Sequence, residues 1–147
     1  ESVLAALGRT IMRINKDRGV KIDVAVTPGQ KFRGEVQDLE EMAGNLIDNA
    51  AKWSKQAVKI SAAPIIDPID GTQNWLMITV DDDGPGLPAN KRAEAVKRGK
   101  RLDETKPGSG LGLAIVTETA GMYSGNLVLG DAEIGGLRVQ LRLPAVA

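Results

Sequence analysis

Glu41-Met42-Ala43-Gly44-Asn45-Leu46-Ile47-Asp48-Asn49-Ala50-Ala51-Lys52-Trp53 has the spacing of a helix with two different flanks. At 3.6 residues per turn, Leu39, Met42, Ala43, Leu46, Ile47 and Ala50 fall on one apolar side. Glu41, Asn45, Asn49 and Lys52 follow at intervals of four, four and three along a neighbouring stripe. The first flank is built to be buried. The second offers amide carbonyl oxygens to a hard cation, amide donors to phosphate oxygens, and a lysine as a point charge one turn further on. The same stripe could equally be the solvated face of a core helix, so the rest of the chain has to decide between the two.

Working outward towards the N-terminus, Val20 to Val26 alternates as a strand with Val20, Ile22, Val24 and Val26 inward, turned by Thr27-Pro28-Gly29. A short strand around Lys31 to Arg33 is expected before the helix, which spans about Val36 to Trp53. Upstream, Val3, Leu4, Leu7, Ile11 and Ile14 recur with helical spacing between Ser2 and Asp17, closed by Gly19. Towards the C-terminus, Ala57 to Ala62 and Trp75 to Val80 read as strands, with Pro64 to Asn74 as a loop. Leu111 to Val116 opens a helix that stops near Gly121. Strands at Asn126 to Leu129 and Leu137 to Leu143 flank a turn at Gly135-Gly136. Between Leu87 and Pro107, many basic residues and few apolar ones predict mobility and at most one short helix, near Asn90 to Lys97. The interleaving predicts one α/β (α+β) domain, a two-layer sandwich with a mixed sheet and about three helices on one face.

Composition narrows the chemistry. The 147 residues suit a single domain, and 42% hydrophobic with 26% charged residues indicates a globular chain. Two Trp, one Tyr and one Phe leave the core to aliphatic side chains and alanine. Nineteen basic and nineteen acidic residues cancel, so no general field favours nucleic acid or an anionic membrane. Cysteine and histidine are both absent, which excludes thiolate nucleophiles, imidazole bases and the common zinc sites. No apolar run approaches the ~20 residues of a membrane span. Glu1 follows neither an initiator methionine nor a signal peptide, which reads as an excised piece of a longer protein.

Two further segments carry candidate chemistry. Asp82-Asp83-Gly84-Pro85-Gly86 ends a strand in an acidic turn whose glycines allow positive φ and close backbone approach; an aspartate there can accept from an exocyclic amine such as adenine N6. Taken alone it is also an ordinary turn. Gly108-Ser109-Gly110-Leu111-Gly112-Leu113 puts three glycines at a helix N-terminus, where free N–H groups attract phosphate. It lacks the Gly-Lys-Ser/Thr ending of a P-loop and does not open a βαβ unit.

In this order, Asn-x-x-x-Asn on a helix, Asp-x-Gly-x-Gly after a strand, a basic stretch and Gly-x-Gly-Leu-Gly-Leu opening a helix resemble the N, G1 and G2 boxes of the GHKL superfamily. The resemblance covers nearly the whole chain and implies the Bergerat fold, with a mixed five-stranded sheet. Asn-Leu-Ile-Asp-Asn-Ala-Ala-Lys-Trp is similar to the N box of bacterial sensor histidine kinases; ATPase members usually carry a glutamate base where Asn45 stands. Arg98-Gly99-Lys100-Arg101 with Lys106-Pro107-Gly108 looks like the PhoQ branch of those kinases.

The resemblance implies a catalytic and ATP-binding domain over residues 1–147, with an ATP lid at about 87–109. Asn45 would hold Mg²⁺, Asn49 would bridge metal and phosphate, Lys52 would contact phosphate, and Ser109 would stand near the metal. Asp82 would read the adenine amine, with Gly84, Gly86, Leu87 and Trp53 shaping the pocket. Arg98, Arg101 and Lys106 would meet phosphates from the lid, and the backbone from Gly108 through Gly110, Leu111, Gly112 and Leu113 would cradle them. Asn45, Lys52 and Arg101 are the expected catalytic residues. Glu41 could polarise a metal-bound water or be solvated, and solvation is the expectation.

Some residues depart from the family pattern: no lid phenylalanine stands near Val96, Ser109 replaces a possible Gln, and Lys106 replaces an Arg. Gly135-Gly136-Leu137 resembles a G3 box and equally a hairpin turn. The implied function is transfer of the ATP γ-phosphoryl group to a histidine outside this chain, in a dimerisation domain, and onward to a response-regulator aspartate. The piece itself is expected to be monomeric, the cytoplasmic part of an inner-membrane sensor. The rival readings are a GHKL ATPase or serine kinase, and a docking module that has lost nucleotide.

Overall fold

Alternating burial along the strands shows which side of the sheet is covered. In the computed structural model, the described residues are 7–8, 21–26, 31–53, 56–66, 74–86 and 112–145. They hold β1 (Lys21–Val26), α1 (Val36–Trp53), β2 (Ala57–Ile66), β3 (Asn74–Asp82), α2 (Gly112–Met122), β4 (Asn126–Asp131) and β5 (Leu137–Pro144). The sheet order is β1-β2-β3-β5-β4. β1 runs parallel to β2 and every other pair is antiparallel, so the sheet is mixed and five-stranded as expected. A parallel neighbour cannot be reached by a hairpin, and α1 lies in the crossover between β1 and β2.

Along β5, Leu137, Val139, Leu141 and Leu143 are buried while Arg138, Gln140 and Arg142 are half-buried. The covered face continues through Leu76, Ile78 and Val80 on β3 and Val58, Ile60 and Ala62 on β2. α1 sets Leu39, Met42, Ala43, Leu46, Ile47 and Ala50 into this core, and α2 adds Leu113, Val116 and Ala120. At about 1.5–3 kcal/mol for each fully buried aliphatic side chain, this face fixes the rotation of both helices.

Several expectations change. Pro64 lies inside β2, paired with Leu76, where a loop was expected. The strand tolerates it because β1 ends at Val26, opposite Ala62, leaving Pro64 where β2 has no described neighbour on that side. Val24 is 43% exposed, because β1 is an edge strand and its inward side is only partly covered. The segment around Lys31 to Arg33 makes a single bridge, Phe32 to Ala145, in place of a strand. Two helices are described where about three were expected. The first falls largely outside the described residues, although Leu7 and Gly8 are helical and Leu7 is fully buried. The Thr27-Pro28-Gly29 turn and the short helix near 90–97 also lie outside them. No helix among the described residues is long and apolar enough to cross a membrane.

Candidate functional site

The pleat at the end of β3 sends three consecutive aspartates to three different partners. Asp81 meets Arg138 through two bonds, Nε to Oδ1 and Nη2 to Oδ2, each 2.9 Å. Asp83 accepts from the backbone N–H of Gln56, at 3.2 and 3.1 Å to its two oxygens, and of Ala57 at 3.2 Å. It thereby ties the start of β2, just after α1, to the end of β3. Asp82, between them, is 3% exposed.

Oδ1 of Asp82 accepts the N–H of Gly84 at 2.9 Å and of Leu137 at 3.2 Å, and its carbonyl accepts from Gly136 N at 3.1 Å. Among the described residues, Oδ2 accepts no hydrogen bond. Burial pushes the Asp82 carboxyl above its ordinary range, with smaller pushes from Asp83 and Asp81, and the two amide bonds pull only partly back. The result is a buried carboxylate with one oxygen held by two amides and the other accepting no bond from the described residues.

Glycines let the backbone close around this carboxylate. Gly86 holds φ +75, and a Cβ on Gly136 would overlap Asp82 Oδ1 and lie 2.5 Å from Asp82 O and 2.7 Å from Gly84 N. Gly135-Gly136 is therefore a hairpin turn between β4 and β5 and also one wall of the Asp82 site. Sequence reading left Gly135-Gly136-Leu137 as either a G3 box or a hairpin turn without tying it to Asp82, and did not find the partners of Asp81 and Asp83. The alternating burial of β5 turns Leu137 inward, but nothing local pairs it with a residue 55 positions away.

On α1, Asn45 and Asn49 are half-buried beside the buried Leu46, Ile47 and Ala50, and Glu41 is exposed, in line with its solvated reading. Lys52 and Trp53 occupy the last turn, with only their backbone described. Gly112 begins α2. The Leu113 side chain packs into the core, so what it can offer a ligand is the free N–H of a first helical turn. Leu87, Arg98, Arg101, Lys106, Gly108, Ser109, Gly110 and Leu111, and with them the expected lid at 87–109, lie outside the described residues.

The two helices are tied at one end. The Tyr123 hydroxyl donates to Asp38 Oδ2 and accepts from Glu35 N at 3.3 Å, and its ring meets Phe32 edge-on at 4.9 Å. The hydrogen bond to Asp38 raises the Tyr123 phenol above 10.0. This joins the start of α1 to the residue after α2, so the packed helices run in opposite senses. At 1.5 Å per residue, Asn45 to Asn49 lie roughly 10–16 Å along α1 from Asp38, and Gly112 lies roughly 16 Å back from Tyr123. The N-terminus of α2 is thus level with the two asparagines.

The profile of the family described as histidine kinase-, DNA gyrase B-, and HSP90-like ATPase matches residues 34–147. The sensor protein PhoQ of Escherichia coli K12 is 37% identical over 139 residues, 95% of this chain and 27% of the relative. The chain therefore spans about a quarter of the length of that curated relative. Among solved structures, a mycobacterial sensor histidine kinase MprB aligns with a TM-score of 0.84 and 30% identity, covering 99% of this chain and 95% of that one. The ATP binding domain of PrrB from Mycobacterium tuberculosis aligns with a TM-score of 0.77 and 25% identity, covering 100% and 96%.

Proposed function

Because the chain belongs to the family of histidine kinase-, DNA gyrase B-, and HSP90-like ATPases, we propose that it is the ATP-binding catalytic domain of a sensor histidine kinase. The observation that carries this reading is Asp82: a buried carboxylate with Oδ1 filled by two backbone amides and Oδ2 accepting no bond from the described residues. An adenine N6 amine supplies a donor, and the adjacent glycines leave space for the flat ring.

The donor set on α1 fits Mg²⁺. Amide carbonyls are hard, neutral oxygens, suited to an ion that keeps several waters and takes the rest of its shell from substrate phosphates. In this reading Asn45 and Asn49 hold the ion, Ser109 stands beside it, and bound Mg²⁺ neutralises phosphate charge. Lys52 contacts the phosphates directly. The N–H groups from Gly108 through Gly110, Leu111, Gly112 and Leu113 cradle the phosphate chain at the start of α2. Arg98, Arg101 and Lys106 approach the β- and γ-phosphates from the 87–109 lid, and Trp53, Leu87, Gly84 and Gly86 line the purine pocket.

Phosphoryl transfer asks mainly for positioning and charge neutralisation, which this inventory provides. The chain contains no histidine, so the acceptor belongs to a separate dimerisation and phosphotransfer domain. A response-regulator aspartate would take the phosphoryl group next, with this domain on the cytoplasmic side of a membrane sensor.

Calorimetric titration with a non-hydrolysable ATP analogue tests the reading. Saturable binding strengthened by Mg²⁺, weakened by Asn45→Asp and abolished by Asp82→Asn is the expected pattern. Absence of any adenine-nucleotide binding by the intact chain overturns it. Phosphate release by the chain alone would favour an ATPase instead.

A further inference from the structure

The adenine reading leaves open what holds Leu137 in place on Asp82. The β3–β5 ladder ends at the pair Asp81 and Arg138. Beyond that rung the regular register lapses, and Gly136 N donates to Asp82 O while Leu137 N donates to Asp82 Oδ1. Alternation puts the side chains of Asp81 and Arg138 on the sheet face away from the helices, while Asp82 and Leu137 turn to the core. The same two dipeptides, Asp81-Asp82 and Leu137-Arg138, are therefore joined twice. An ion pair joins them on one face, and an amide-to-carboxylate hydrogen bond on the other.

The pair on the outer face has the geometry of a clamp. A planar guanidinium bound through Nε and Nη2 to both oxygens of one carboxylate fixes orientation as well as distance, which a single-point contact does not. The Asp81 side chain is only 10% exposed and that of Arg138 33%, so water competes weakly for the bonds. With the last rung held, the N–H of Leu137 stays aimed at Asp82 Oδ1, and Oδ2 accepts no bond from the described residues. Release of the clamp frees β5 to shift at its first residue, and the carboxylate can rotate.

We propose that Arg138, gripped by Asp81 on the outer face of the sheet, is a positioning residue that holds Asp82 in the orientation selecting adenine over other purines. The inference rests on the adenine reading of Asp82. It adds a pair of residues that touch no nucleotide and face away from the site. Their loss should affect discrimination between purines more than affinity for phosphate.

The test compares ADP with inosine 5′-diphosphate, which carries an oxygen in place of the exocyclic amine. The wild-type 147-residue chain is expected to bind ADP at least about tenfold more tightly, the loss that follows when a charged acceptor faces an oxygen. Arg138→Gln and Asp81→Asn should each reduce this ratio severalfold, mainly by weakening ADP, and the double variant should fall no further than either alone. Arg138→Lys, which keeps the charge and most of the stem, should give an intermediate ratio and guards against failure of the Gln variant to fold. Amide exchange at Leu137 should quicken in step with the lost ratio.

If both affinities fall equally and the ratio holds, the pair is merely structural and the inference is overturned. If the wild type prefers ADP and Asp82→Asn erases the preference while Arg138→Gln and Arg138→Lys keep it, the inference falls and the adenine reading stands. A wild type indifferent to the two nucleotides overturns both.

Discussion

Gly136→Ala adds a single carbon at the point where the β4–β5 turn meets the end of β3. That carbon would lie 2.5 Å from Asp82 O and 2.7 Å from Gly84 N, well inside the 3.4 Å where ordinary contact begins. Both neighbours are backbone, so no side-chain rotation relieves the overlap. The turn must move by most of an ångström, at an overpacking cost of about 1–3 kcal/mol. The displacement also breaks Gly136 N to Asp82 O and Leu137 N to Asp82 Oδ1, leaving buried groups unsatisfied for about 1–3 kcal/mol more. Total destabilisation of about 2–6 kcal/mol is expected by urea unfolding followed by circular dichroism, together with loss of ADP binding by calorimetry. Gly130 is the internal control, with nothing within 4 Å of its Cβ position and no positive φ. Gly130→Ala should therefore be neutral or stabilise by about 0.4–1 kcal/mol. Gly136→Ala within about 0.5 kcal/mol of wild type, with ADP binding intact, would refute the packing argument.

Two titrations follow from the buried and tethered groups. The folded-state pKa of Asp82 lies above its ordinary 3.8, so between the two values the folded chain holds the extra proton. Stability should then fall as pH rises through that window; Asp82→Asn should be more stable than wild type at neutral pH, with the gain fading below about pH 4, by urea unfolding at several pH values. Tyr123 is the sole tyrosine, so its ultraviolet titration is read without overlap, and the midpoint should lie above 10.0 and move down towards it in Asp38→Asn. That variant should also lose about 1 kcal/mol of stability.

Elements with a regular period could be read from the chain. α1 was legible because six apolar residues recur at helical spacing, and all six are buried. β5 was legible because its alternation is strict. Pro64 was misread because its tolerance depends on where another strand, β1, stops. The acidic run at 81–83 was read as one turn with one functional member. Its division of labour among Arg138, two amides at the start of β2 and two around Asp82 depends on strand order, which local sequence does not carry. For the same reason the motif could single out Asp82 as a candidate, while nothing local tied Leu137 and Gly136 to it.

The placement of β5 between β3 and β4 also governs when the site can exist during synthesis. β3 and β4 share no ladder, so the sheet cannot close until the stretch ending at Pro144 has left the ribosome. Leu137 follows Asp82 by 55 residues, which at ~5–20 residues per second is a wait of ~3–11 s. Through that interval β1, β2 and β3 can pair, yet Asp81 has no guanidinium and Asp82 no Leu137 amide. A nascent chain stalled before β5 would thus expose the apolar faces of α1 and β3 with both carboxylates hydrated. The Asp82 site is thus among the last features of the sheet to form.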